Sequence, residues 1–139
     1  MSDMKLEKVN YSDLNSRQKE VFNFQKVAWL LAEYGFNCIK LADDWQGADF
    51  LAYHKDGGNT LKVQLKGRLT ISKKYIGKSI FMTFPIRDTW YLIEHDELVS
   101  KVTEHANSWL VSESWVEDGG YSSDKPNSKL VGAIEDSKI

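Results

Sequence analysis

The chain has 139 residues, 42% of them apolar and 27% charged, with a formal net charge of −2. That length suits one domain (residues 1–139) able to bury roughly two-thirds of its unfolded surface, and 12% aromatic content with two prolines excludes a mostly disordered chain. No apolar stretch approaches the ~20 residues of a spanning helix, the N-terminus lacks the apolar run of a signal peptide, and a single cysteine excludes an internal disulfide or a thiolate zinc cluster. A cytoplasmic location is therefore expected.

Residues 1–11 show no period and read as a loose arm. Asn15 followed by Gln18 offers a capping box, and Val21, Phe24, Ala28 and Leu31 recur at helical spacing, which predicts a helix over 16–34 ended by Gly35. Residues 37–41 read as a short strand with Cys38 packed inside, and 43–47 as a loop. Residues 49–54 and 61–68 flank the turn signal Asp56-Gly57-Gly58-Asn59, which predicts a β-hairpin over 49–68. Further strands are expected over 79–85 and 90–95. Asp96 is placed to cap a helix over 97–106 with Leu98, Val99, Val102 and Ala106 inward. A small strand at 109–111, a flexible turn at 119–123 and a short helix at 129–134 complete the reading. The order predicts an α/β class with a mixed sheet flanked by helices.

Charge is distributed unevenly. From Gly57 to Arg87 there is no acid, and seven bases: Lys62, Lys66, Arg68, Lys73, Lys74, Lys78 and Arg87. The rest of the chain holds eleven bases and twenty acids. Such a run either pairs in space with the acidic segments or awaits an anionic partner, of which nucleic-acid phosphate is the commonest.

The hairpin brings three chemically useful side chains together. With Gly57-Gly58 as a two-residue turn, Asp49 faces Lys66 and Leu51 faces Gln64, and the alternation puts Asp49, Gln64 and Lys66 on one side of the sheet. A carboxylate and an amide oxygen, with the Leu65 carbonyl as a third donor, suit a hard cation such as Mg²⁺. Lys66 is then placed to position a water or to stabilise charge on phosphorus. Taken singly, an Asp–Lys pair across two strands is an ordinary surface salt bridge.

Ala48-Asp49, fourteen residues, then Gln64-Leu65-Lys66 resembles the signature of the PD-(D/E)xK nuclease superfamily, in a Gln-x-Lys variant similar to some homing endonucleases. The resemblance covers about residues 15–95 and implies a restriction-endonuclease-like α-β-β-β core. It further implies a Mg²⁺- or Mn²⁺-dependent endonuclease acting on DNA by in-line attack of water, leaving a 5′-phosphate and a 3′-hydroxyl. A homodimer follows if both strands are cut. The departures are Ala48 in the proline slot and Gln64 in place of the second acid, which removes one charge from the metal shell. A first-helix ligand is then needed. Glu20 is favoured by its charge, and Gln25 lies nearer the family's distance from the helix-ending glycine. Catalytic roles therefore fall to Asp49, Gln64, Lys66 and Glu20, with Asp49, Gln64 and Leu65 holding the metal.

Arg68, Lys73, Lys74 and Lys78 follow directly and are expected to track the phosphate backbone, with Tyr75 interleaved. His54, His95 and His105 lack metal-site spacing and read as surface or strand-edge residues. Trp29 is expected to pack on the first helix, and Trp45 to anchor its loop or to touch substrate. Two other readings stand beside the nuclease: a non-catalytic nucleic-acid-binding module, which Gln64 favours, and a protein–protein module of the antitoxin type. Acidic residues after Arg87, eleven against four bases, favour the latter.

Overall fold

The computed structural model describes residues 4–139; the first three residues of the expected N-terminal arm lie outside them. Helix α1 (Ser16–Ala32) opens with the expected capping box: the Asn15 side chain accepts from the Gln18 amide, and Gln18 reaches back to the Asn15 amide. Gly35 follows it at φ +86°, where a Cβ would stand 2.8 Å from the His54 ring. The buried face of α1 runs through Asn23, Val27 and Leu31, with Val21 exposed, so the stripe is rotated from the expected one. Trp29 is 67% exposed, contrary to expectation, because it lies on the opposite face.

Strands β1 (Phe36–Trp45), β2 (Ala48–His54) and β3 (Thr60–Leu65) form an antiparallel meander. After β4 (Leu69–Ser72), strand β5 (Ile80–Ile86) joins β3 in parallel and β6 (Thr89–Glu94) closes the sheet, in the order β1-β2-β3-β5-β6. This is the mixed α/β sheet the sequence predicts. Helix α2 (His95–His105) follows at once, with Asp96 inside its first turn rather than capping it. Residues at 109–111 lie in a 3₁₀ turn, not a strand, with Trp109 turned inward. The segment read as a flexible turn contains β7 (Gly120–Ser123), which pairs with β4 in a second small sheet, and α3 (Ser128–Ala133) follows.

Alternation splits the core in two. Phe50, Ala52 and Val63 pack against Val27 and Leu31 of α1. Ile80, Met82 and Phe84 face the other way, onto Leu98 and Val102 of α2, the small sheet and Leu130 of α3. The outer side of β6 is occupied by the C-terminal residues, where the Ile139 amide donates to the Trp90 carbonyl. Among the described residues no helix is long and apolar enough to cross a membrane.

Two departures shape the site. Residues 43–47 are not a loop: β1 continues to Trp45, which pairs with Ala48 across a tight turn of Gln46 (φ +52°) and Gly47 (φ +86°). The Asp-Asp-Trp-Gln-Gly composition mimics a loop because the strand bulges there. Between Lys40↔Phe50 and Trp45↔Ala48, residues 41–44 stand against Asp49 alone. The hairpin register also differs, pairing Phe50 with Val63 and Tyr53 with Thr60. The reversal takes residues 55–58, held by the Asp56 carboxylate on the Gly58 amide.

Gly47 combines positive φ with close quarters, since its Cβ would lie 3.3 Å from Ile80. Gly47→Ala is expected to cost more than about 1 kcal/mol. Gly132→Ala, where a Cβ meets open space within α3, is expected to be neutral or to stabilise by up to about 1 kcal/mol. Urea unfolding of the two variants checks both signs.

Candidate functional site

The register shift is by two residues, so it preserves the face each side chain occupies while changing the partners. Continued by one residue, it sets Asp49 across from Gln64 instead of Lys66. A further step would pair Leu65 with Ala48, but the ladder stops. The Leu65 amide donates instead to the Asp49 carboxylate, at 2.8 Å. On the other side of β2 the bulge draws β1 away. Asp49 thus stands where three strands part.

The opening is a cavity of about 260 Å³ whose walls include Glu20 and Arg17 of α1, Lys40, the bulge residues and Asp49. Glu20 therefore reaches the site, whereas Gln25, also exposed, does not line it. Burial raises the Asp49 carboxyl above its usual range, and the charge of Glu20 adds to this. The Leu65 amide, Lys40 and Lys66 act against the rise. Gln64 is 7% exposed, and its side-chain oxygen is the one buried side-chain polar atom without a hydrogen-bond partner among the described residues. A buried acceptor left open is costly unless an electropositive group meets it. An acceptor oxygen across from a half-buried carboxylate is a donor set that suits Mg²⁺. Among the described residues no three His, Cys, Asp or Glu side chains cluster to hold a metal, and the acids that line the Asp49 cavity are Glu20, Asp43, Asp44 and Asp49 itself, while Gln64 is not among its lining residues.

Lys66 lies just past β3, its amide donating to the Thr83 carbonyl, and lines a neighbouring hollow of about 270 Å³ with Lys74 and Tyr75. None of the seven bases from Gly57 to Arg87 forms an ion pair among the described residues. No contact of ion-pair length therefore ties the basic run to the acidic segments, although Asp44 and Asp118 border hollows that its lysines line. Lys73 lies over the Trp115 ring and Lys74 over Tyr75, contacts that orient an ammonium without cancelling its charge. Arg68 and Lys78 are exposed. Tyr75 is not interleaved on the surface as expected: it is 3% exposed, packed edge-on to His95, and its hydroxyl is pushed up to about 12 by burial and by Asp49 and Asp44. Trp45 is half exposed at the hairpin tip, so it does not anchor the turn by burial.

Sequence reading missed His95, which is fully buried instead of superficial. Its Nε2 accepts from the Ser72 amide at 3.0 Å, so Nδ1 carries the proton and faces the Asp96 carboxylate at 3.2 Å. The other Asp96 oxygen accepts from the Gly77 amide at 2.9 Å. One His–Asp couple therefore fastens both ends of the basic loop that carries Lys73, Lys74 and Tyr75. The adjacency of His95 and Asp96 was visible, but their targets lie about twenty residues away and leave no periodic trace. Cys38 is half-buried against the α1-side core, and burial pushes its thiol up to about 11.

No family model matches the chain, and none of the curated proteins does. It is similar to a solved structure of Hjc, a Holliday junction resolvase from Archaeoglobus fulgidus, with 15% identity over 53% of this chain and 76% of that one and a TM-score of 0.41.

Burial lowers the His95 pKa, and Asp96 only partly restores it. Between the folded and unfolded values the unfolded chain binds more protons, so this contribution to stability is complete above the ordinary histidine value of 6.5 and is lost as pH falls through the folded one. Urea midpoints are expected to drop from about pH 7.5 to about pH 5.5, and to drop less in His95→Asn. Equal slopes for both proteins would assign the titration elsewhere.

Proposed function

We propose that the chain is a metal-dependent nuclease hydrolysing DNA phosphodiester bonds at Asp49. What supports this reading is a half-buried carboxylate that the strand register, continued by one residue, sets across from an unpartnered buried amide oxygen, with a basic run that forms no ion pair among the described residues close by in the chain. Asp49 and Gln64, with the Leu65 main chain, would hold Mg²⁺ or Mn²⁺, and Glu20 would add charge from α1. When bound, the cation polarises a phosphoryl oxygen and lowers the pKa of a bound water.

The chain's own residues do the rest. The Leu65 amide aims Asp49, and together with Lys40 and Lys66 it favours the ionised form against the opposing effect of burial. Lys66 supplies positive charge where the phosphoryl group becomes more negative. Arg68, Lys73, Lys74 and Lys78 hold the flanking backbone. One such centre cuts one strand, so a double-strand break needs two, which a homodimer provides.

A second reading, a binding module without catalysis, draws on the missing acid at Gln64 and the absence of a carboxylate cluster among the described residues. Plasmid relaxation separates the two. The wild type is expected to nick supercoiled DNA with Mg²⁺ or Mn²⁺, and Asp49→Ala or Lys66→Ala to lose about 10²-fold or more. Gln64→Glu is expected to lower the metal concentration needed for half-maximal binding by restoring a charge. Nicking of equal rate in wild type, Asp49→Ala and Lys66→Ala defeats the catalytic reading, and retention of DNA without cleavage by any form favours the binding module.

A further inference from the structure

Beside the Asp49 cavity lies a larger one, of about 580 Å³, on which Lys62, Lys74 and Lys78 converge against a single carboxylate, Asp44. We infer that this hollow is a phosphate subsite, which binds a phosphate of the nucleic-acid strand whose neighbouring linkage lies at Asp49. The inference rests on the nuclease reading and adds where the strand is gripped.

Three observations support it. First, Lys62 is held in place by neutral groups alone: its ammonium donates to the Lys78 carbonyl at 2.9 Å and to the Gln46 side-chain oxygen at 3.3 Å. An ammonium has three N–H donors, so one remains and the full charge stays available. Building a half-buried lysine into a wall without a carboxylate partner is costly for stability alone, and is repaid when an anion arrives. Second, the rim is shaped by backbone. Gln46, Gly47 and Gly77 all have positive φ, and a Cβ at Gly77 would meet nothing within 4 Å, so the entrance there is open. Third, the hollow joins the site. Asp44 belongs to its wall and to that of the Asp49 cavity, and Lys74 and Tyr75 belong also to the hollow lined by Lys66. Lys62 precedes Gln64 by two residues on the same face of β3, a separation of about 6.6 Å.

The His95–Asp96 couple makes the arrangement stiff, because it pins Ser72 and Gly77 on either side of Lys74. Two of the three ammonium groups are thus positioned by contacts already made, Lys62 by its acceptors and Lys74 by the Tyr75 ring. Little ordering remains to be done on binding.

The test is metal-free binding of the full chain to a short duplex with and without 5′-phosphates, followed from about 50 mM to about 200 mM salt. Lys78→Gln, whose side chain makes no fold-stabilising contact among the hydrogen bonds described, is expected to flatten the logarithmic salt dependence by about one unit. Lys62→Arg should retain the wild-type slope, and Lys62→Gln should flatten it. Lys129→Gln, at an exposed position of α3, serves as the control and should leave it unchanged. An effect equal on both duplexes assigns the subsite to an internal backbone phosphate. An effect confined to the phosphorylated duplex assigns it to a strand end. Unchanged slopes in Lys62→Gln, Lys74→Gln and Lys78→Gln, with wild-type binding intact and plasmid nicking dependent on Asp49, overturn the subsite and leave the nuclease reading standing. Absence of wild-type binding at about 50 mM salt overturns both.

Discussion

The hydrogen bond from the Leu65 amide to the Asp49 carboxylate organises everything at this end of the sheet. An antiparallel pair normally satisfies such an amide with a carbonyl of the neighbouring strand. Here a side chain takes that role, which lets β2 and β3 part without leaving a buried donor orphaned. The bulge at residues 41–44 does the same on the opposite flank. A carboxylate that stitches diverging strands cannot be retracted into solvent, and the partial burial that follows is what raises its pKa. The group that closes the end of the ladder is thus also the one whose titration burial shifts.

The basic loop is maintained by a comparable economy of contacts. Its lysines are oriented by aromatic rings and carbonyls, and its ends by a buried imidazole and an exposed aspartate. Carboxylate partners would have held them as firmly, but would have cancelled the field that draws an anion. Neutral anchors keep the geometry and leave the potential intact. Three acids border this surface: Asp44 in the walls of two cavities, Asp118 in the hollow of Lys66 and Lys74, and Asp96 at the Gly77 end of the loop.

Much of this was legible in the residues. The capping box at Asn15 and the strand pair around residues 80–94 both follow from local chemistry and period. The turn was placed wrongly by two residues, a displacement that leaves the parity of the paired strands unchanged. Parity gave no warning of the bulge, whose acidic residues look like loop on composition alone. Tyr75 and His95 were misjudged for another reason. Each is buried by contacts with segments distant in the chain, and a polar tip on a bulky ring is equally at home on either side of a surface. The β4–β7 pair was hidden similarly, since four-residue strands carry too few alternations to register.

The two margins of the five-stranded sheet are protected in different ways. Along β6 the chain's last residues lie against the margin and take up its free carbonyl at Trp90. Along β1 no described segment does so, and Ile39 lies half uncovered there. Lys40, Asp43 and Asp44 stand on that strand, and ionised side chains discourage a foreign strand from adding itself. The residues that open the Asp49 cavity therefore also guard the molecule against polymerising through its own sheet, so neutralising them for any catalytic purpose would carry a penalty in solubility.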